Sequence, residues 1–321
     1  MPAPSRKPQS SPEVALGTSP GKLIIFGEHA VMFGQPALGV ALSRGVKVSL
    51  RRGTGRVSLH LAEGLRGPAA GARATPEALV KAALGAGAAD IDVELELELP
   101  PSAGLGTSAA IAVALLRAKQ TLLGEKAGTD LLRAAIAIED LAHGRSSGLD
   151  PAICLTGGVV EFVRPVTHEG KRRRPKVRPL VPASSFHLVV GVYGTHGGTE
   201  GRIRGVLALR EELPQPVDRA IAALGSLARA GTRALVRGEL EIAGQAMNLA
   251  HGILSGFGLV SAEVEQLVRL ARASGALGGK MSGAGGGGGA FFALAPDVQV
   301  AHRIREALER AGAQVWLETA G

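Results

Sequence analysis

PPSAGLGTSAA, residues 100–110, decides how this chain folds. It follows IDVELELEL (91–99), where Ile91, Val93, Leu95, Leu97 and Leu99 alternate with acids, the period of a half-buried strand. After it comes an apolar run from Ser108 to Leu123 with no Gly or Pro, a helical pattern. The order is therefore strand, glycine-rich turn, helix. Gly104 and Gly106 permit unusual dihedrals and close backbone approach, and the N–H groups that open the helix face whatever occupies the turn. An anion, most naturally a phosphate, fits there, and Thr107 and Ser108 add hydroxyls suited to phosphate or Mg²⁺. No Gly-Lys-Ser/Thr follows, so this is not a Walker A loop, and the third glycine of the dinucleotide fingerprint is missing. A bare Gly-x-Gly would be an ordinary capped turn; the full string favours the phosphate reading.

Outward from that turn, strands are expected at Leu23–Phe26, Val46–Leu50, Val57–Leu61, Phe186–Val192, Ala290–Ala295 and Gln314–Leu317. Helices are expected from Thr129 or Asp130 to His143, then near 201–212, 217–237, 239–250, 261–274 and 297–311. Strands and helices mix in both halves, which argues for an α+β fold. The length of 321 residues suggests two domains. The basic, proline-rich stretch 171–182 reads as a surface connection, giving a tail at 1–16, one domain at 17–182 and a second at 183–321. The polar N-terminus has no apolar h-region and reads as a disordered tail rather than a secretory signal.

Composition excludes several classes. Cys154 is the single cysteine, so neither a disulfide framework nor a cysteine-based zinc site can form, and a reducing cytoplasm is the expected setting. The longest apolar run, Ala109–Leu116, is far short of the ~20 residues that span a bilayer. Aromatics are 3% of the chain, too few for base-stacking platforms. The net charge of +8 leaves RNA binding open, although basic runs are more often solvated and ATP and acidic substrates also favour positive potential.

Three further segments carry chemistry. In PGKLIIFGEHAV (20–31), Lys22 precedes an apolar strand, and Glu28 and His29 follow it, either capping a turn or facing a pocket. In IEDLAHGRSSGLDP (138–151), Glu139 sits on a helix and Asp150 follows a Ser-Ser-Gly turn that can return it to the same place. Two carboxylates near a phosphate turn suit one metal ligand and one base; alone, they would be a solvated acid and an Asp-Pro turn. GGKMSGAGGGGG (278–289) cannot be helix, and its backbone could wrap a ligand, unless it is merely a linker.

Together and in this order, the segments resemble the GHMP small-molecule kinases, and GKLIIFGEHAVMFGQPALGVAL (21–42) resembles the mevalonate kinase branch. HGRSSGLDPAICLTGG (143–158) and MNLAHGILSGFGLVS (247–261) extend the resemblance, which runs from about residue 18 to 295. It implies an N-terminal domain like domain 2 of ribosomal protein S5 with a left-handed βαβ crossover, a ferredoxin-like C-terminal domain, and a site between them. It implies Mg²⁺- and ATP-dependent phosphorylation of mevalonate to 5-phosphomevalonate, on the route to isoprenoids, by an enzyme that binds neither nucleic acid nor membrane. A homodimer is compatible with the sequence without being fixed by it.

By the same resemblance, Ser102, Ala103, Gly104, Leu105, Gly106, Thr107 and Ser108 wrap the ATP phosphates, and Ser108 and Glu139 hold Mg²⁺. Asp150 is the base for the substrate hydroxyl and Lys22 its cationic neighbour. Glu28, His29 and Thr199 face the substrate, and Ser282, Gly283, Ala284, Gly285 and Gly286 form a second glycine loop. His196, Gly197 and Gly198 stand where the family carries Arg- and Lys-rich sequence, and Gly289 where many members carry Cys. Another substrate of the family, phosphomevalonate or a sugar, remains the nearest alternative.

Overall fold

The computed structural model describes residues 13–63, 65, 75–124, 130–143, 146–165, 174–194, 199–286 and 288–321, without the side chains of 142, 143, 199 and 200. The first part contains β1 (Val14–Phe26), β2 (Pro36–Arg52), β3 (Val57–Leu61), α1 (Pro76–Leu84), β4 (Ile91–Leu97), α2 (Thr107–Leu123), α3 (Leu131–His143), α4 (Leu149–Thr156), β5 (Val159–Val163) and β6 (Lys176–Leu180). The second contains β7 (Phe186–Tyr193), α5 (Thr199–Glu212), α6 (Pro214–Arg237), α7 (Leu240–Gly256), α8 (Ala262–Ala273), β8 (Gly278–Met281), β9 (Gly289–Ala295), α9 (Val298–Arg310) and β10 (Gln314–Ala320).

The first six strands make one sheet. Long β2 pairs β1 along most of its length, β4 through Val46–Arg52 and β5 through Pro36–Val40, always antiparallel. β3 and β4 are parallel and joined through α1, so one βαβ unit is present. The second sheet is antiparallel, in the order β10-β7-β9-β8. The two-sheet, mixed α and β architecture is the α+β fold expected.

The alternation of β4 holds: Val93, Leu95 and Leu97 are buried while Glu94 and Glu96 are exposed. α2 is buried on almost every side, so its apolar run is continuous rather than striped. Where α2 crosses β1 there is no room for a side chain: a Cβ on Gly17 would lie 2.1 Å from the Ala114 carbonyl oxygen. This packing buries Ala15 and places Val14, Ala15 and Leu16 in β1, so the expected tail of 1–16 is shortened at its C-terminal end. The basic run 171–182 also differs from a pure connection, because 176–180 forms β6. Pro179 is tolerated there because β6 is the sheet's edge strand, and Arg178 pairs with Glu161 of β5 at 2.8 Å. The largest apolar core is shared by both halves: Leu23, Ile25 and Phe26 of β1 join Phe186, Phe291 and Phe292 of the second sheet. Among the described residues no helix is long and apolar enough to cross a membrane.

Candidate active site

Lys22 enters the site from β1 just after a register shift between Pro20 and Lys22. Its side chain is buried, and Nζ lies 2.9 Å from Asp150 Oδ2 and 2.9 Å from the Gly104 carbonyl oxygen. Its backbone N–H donates to the Leu105 carbonyl at 2.9 Å. The lysine thus ties the strand, the glycine turn and Asp150 together. Gly106 makes the crossing passable, because a Cβ there would meet Lys22 Cγ at 2.6 Å.

The turn itself uses left-handed backbone at Ser102, Gly104 and Gly106. Gly106 is the N-cap of α2 and supplies no side-chain cap, so the positive end of this long, buried helix faces the turn. Ala103 and Leu105 point into the core and anchor the turn from below. Thr107 Oγ1 is buried and has no hydrogen-bond partner among the described residues. A buried hydroxyl left so is costly unless something else satisfies it. Ser108 lies half-buried in the same helical turn.

Glu139, on α3, is buried and accepts a short hydrogen bond from the Ser146 hydroxyl. Ser146 Oγ also accepts from Gly148 N–H at 2.9 Å, and Ser147 Oγ from Leu149 N–H at 3.1 Å. These bonds shape the return that starts α4 and delivers Asp150. Burial, reinforced by the charge of Asp150, pushes the Glu139 carboxyl up to about 8, with Ser146 and Lys22 opposing. Burial, reinforced by the same carboxylates, also raises the Cys154 thiol and so keeps it in its protonated form. No group of three or more His, Cys, Asp or Glu suited to a metal occurs among the described residues, so a bound cation would rely on Glu139, hydroxyls and ligand oxygens. An unpartnered Thr107 hydroxyl, an uncapped helix start and a buried carboxylate fit a metal–polyphosphate.

Across the site, His29 opens a short 3-10 turn with φ at 57°. Its Nε2 lies 3.0 Å from the Ala284 carbonyl, which can only accept, so Nε2 carries the hydrogen and in the neutral ring Nδ1 is the acceptor. Burial lowers the pKa of His29 and favours this neutral form. Glu28 was expected to face the substrate; the structure buries its carboxylate in an ion pair with Lys280, a partner that sequence reasoning had not assigned. Ser282 Oγ bonds both backbone groups of Ile24, at 2.9 Å and 3.0 Å. Gly283, Gly285 and Gly286 all have positive φ, and Gly286 N–H donates to Leu259 O at 3.0 Å. Arg202, also missed, lies against Gly286, where a Cβ would meet its Nε at 2.9 Å. Thr199 begins α5, but its side chain and residues 196–198 lie outside the described residues.

Family models match two parts of the chain: GHMP kinases N terminal domain at residues 73–158 and GHMP kinases C terminal at residues 232–314. The chain is 30% identical over 313 residues to a mevalonate kinase of Thermococcus gammatolerans, covering 88% of this chain and 90% of that one. It is 34% identical over 289 residues to a mevalonate kinase of Aeropyrum pernix, covering 85% and 86%. Its fold is similar to that of L. major mevalonate kinase in complex with R-mevalonate, with a TM-score of 0.81, 24% identity and 98% of each chain covered.

Proposed function

The chain belongs to the GHMP kinase family, and we propose that it transfers the γ-phosphoryl group of ATP to the primary hydroxyl of mevalonate, giving 5-phosphomevalonate and ADP. One observation carries the reading: a buried Lys22 paired with a half-buried Asp150 spans an uncapped glycine turn, in a chain whose relatives at 30% and 34% identity are mevalonate kinases.

Phosphoryl transfer asks the protein mainly for positioning and charge neutralisation. The backbone from Ser102 to Ser108 receives the phosphates at the α2 N-terminus, where the helix dipole favours negative charge. Asp150 accepts the proton of the attacking hydroxyl. As that O–H bond breaks, the oxygen bonds to the γ-phosphorus, and the bond to the β–γ bridging oxygen breaks with its electron pair leaving on ADP. Lys22 orients Asp150 and the hydroxyl and offsets negative charge between the carboxylate and the turn. Mg²⁺ brought with ATP would be held by Glu139 and Ser108 and would neutralise charge on the β- and γ-phosphates. His29, through Nδ1, offers an acceptor to a substrate hydroxyl, and Thr199 is the candidate contact from the start of α5. The absence of disulfide chemistry and of a spanning helix among the described residues suits a cytoplasmic enzyme.

The test is an ADP-release assay run with mevalonate, phosphomevalonate, galactose and homoserine in parallel. Turnover with mevalonate above the other three is expected. Turnover with phosphomevalonate or galactose but not mevalonate overturns the substrate while leaving the family in place.

A further inference from the structure

Three contacts at two-residue spacing stitch the second glycine loop to the end of β1. Lys280 pairs with Glu28, Ser282 bonds both backbone groups of Ile24, and the Ala284 carbonyl accepts from His29 Nε2. Glu28 and Lys280 lie 252 positions apart, Glu28 in the turn that follows β1 of the first sheet and Lys280 on β8 of the second. Both are shut off from solvent: the side chains are 2% and 0% exposed. Lys280 also donates to the Met281 carbonyl at 2.8 Å and lies 5.4 Å from the Phe292 ring centroid. Behind it, Met281 N–H donates to His251 Nδ1 at 3.3 Å, and His251 Nε2 donates to Glu265 at 2.9 Å.

A buried ion pair is weak as a source of stability, because desolvating both charges offsets their attraction; its best-attested use is to fix register. Here the residue next to Glu28 is His29, a non-glycine residue with φ at 57° and ψ at −47°, a sparsely populated conformation that persists only where its surroundings hold it. The pair grips the chain on one side of that strained residue, and the Ala284 bond grips its ring.

We propose that Lys280 is a positioning residue for phosphoryl transfer: through its buried pair with Glu28 it holds His29 in place at the substrate, and so sets affinity for the hydroxy-acid acceptor without touching it. This rests on the assignment of His29 as a substrate contact under the proposed function. Glu28 accordingly acts through His29 rather than on substrate.

The experiment compares wild type with Glu28→Gln, Lys280→Met and the double variant, measuring melting temperature and the separate KM and kcat for mevalonate and ATP. Lys280→Met leaves Glu28 buried without its partner and can fail to fold; the double variant removes both charges, and Glu28→Gln keeps a hydrogen-bonding side chain. In the folded variants KM for mevalonate should rise about 10–100-fold while KM for ATP stays within about twofold, the size expected for a misplaced positioning group. Folded Glu28→Gln and double variants with unchanged KM for mevalonate would overturn the proposal. So would an equal change in both KM values alongside a lower melting temperature, the mark of a structural role. A wild-type enzyme inactive on mevalonate defeats the substrate reading instead, which separates the two failures.

Discussion

Lys22 Nζ reaches Asp150 Oδ2 at 2.9 Å while also donating to the Gly104 carbonyl at 2.9 Å, so one ammonium spans the turn proposed to take the phosphates and the carboxylate proposed as base. Asp150→Asn keeps shape but loses the proton acceptor. Since a positioned base contributes about 10²–10⁴-fold, kcat should fall by that order with little change in KM for ATP. Lys22→Met should also slow turnover, and the double variant should lose much less than the product of the two single losses, because the groups act as one unit. Near-normal kcat in Asp150→Asn, read from steady-state kinetics, removes the base from the mechanism.

Glu139 makes two separable predictions. As a metal ligand, its replacement by Gln should shift the Mg²⁺ titration of activity to higher concentration and lower kcat. Its folded pKa of about 8 against an ordinary 4.5 means the folded state binds more protons than the unfolded state between those values. Stability therefore falls as pH rises through that window. In metal-free buffer, Glu139→Gln should melt above wild type at pH 8 and close to it at pH 4. Calorimetry showing the reverse order at pH 8 would mean that the buried carboxylate is compensated by a partner.

Thr107 Oγ1 is the buried polar atom that most directly points to a ligand. Thr107→Val replaces an unpaired hydroxyl with a methyl of similar size, so the protein without ligand should melt at or above the wild-type temperature. KM for ATP should rise about threefold or more, the loss of a modest hydrogen bond. An unchanged KM for ATP would assign the hydroxyl to the protein interior alone.

How far the sequence carried depends on how local the signal was. β4 and α2 were plain because alternation and a long apolar run are local patterns, and α2 begins at Thr107, one residue before the expected Ser108. α4 was hidden because Asp150-Pro151 resembles a turn; Pro is tolerated there because the first turn of a helix has no N–H partner to lose. β8 was hidden because its glycines looked like loop. They are required by packing: a Cβ on Gly278 would lie 2.2 Å from the Gly244 carbonyl of α7. Lys22, Asp150 and Glu139 stood out by family resemblance, but their distances did not, and neither did the Glu28–Lys280 pair. Those are products of tertiary packing between segments far apart in the chain. The one signal for Lys280 was its alternation with Ser282 and Ala284 at the spacing of a strand face.

Gly106 is where backbone freedom and chemistry coincide, and it gives the sharpest test of the site. Its φ is 76°, a left-handed value that costs an L-residue roughly 1–2 kcal/mol. Its missing Cβ also leaves the space through which the Lys22 stem passes, at 2.6 Å from Cγ and 3.0 Å from Cε. Gly106→Ala therefore does two things at once. The backbone term lowers stability by about 1–2 kcal/mol, which calorimetry should register as a modest drop in melting temperature. The steric term moves Lys22, and a displacement of about 1 Å in a positioning group costs on the order of 10²-fold in rate. Activity should thus fall far more than stability. Gly124, the C-cap of α2, serves as control: its φ is 62° and a Cβ there meets nothing within 4 Å among the described residues. Gly124→Ala should show the same drop in melting temperature with kcat intact. Equal kcat in the two variants would mean that Lys22 yields without cost and that the close passage over Gly106 has no part in catalysis.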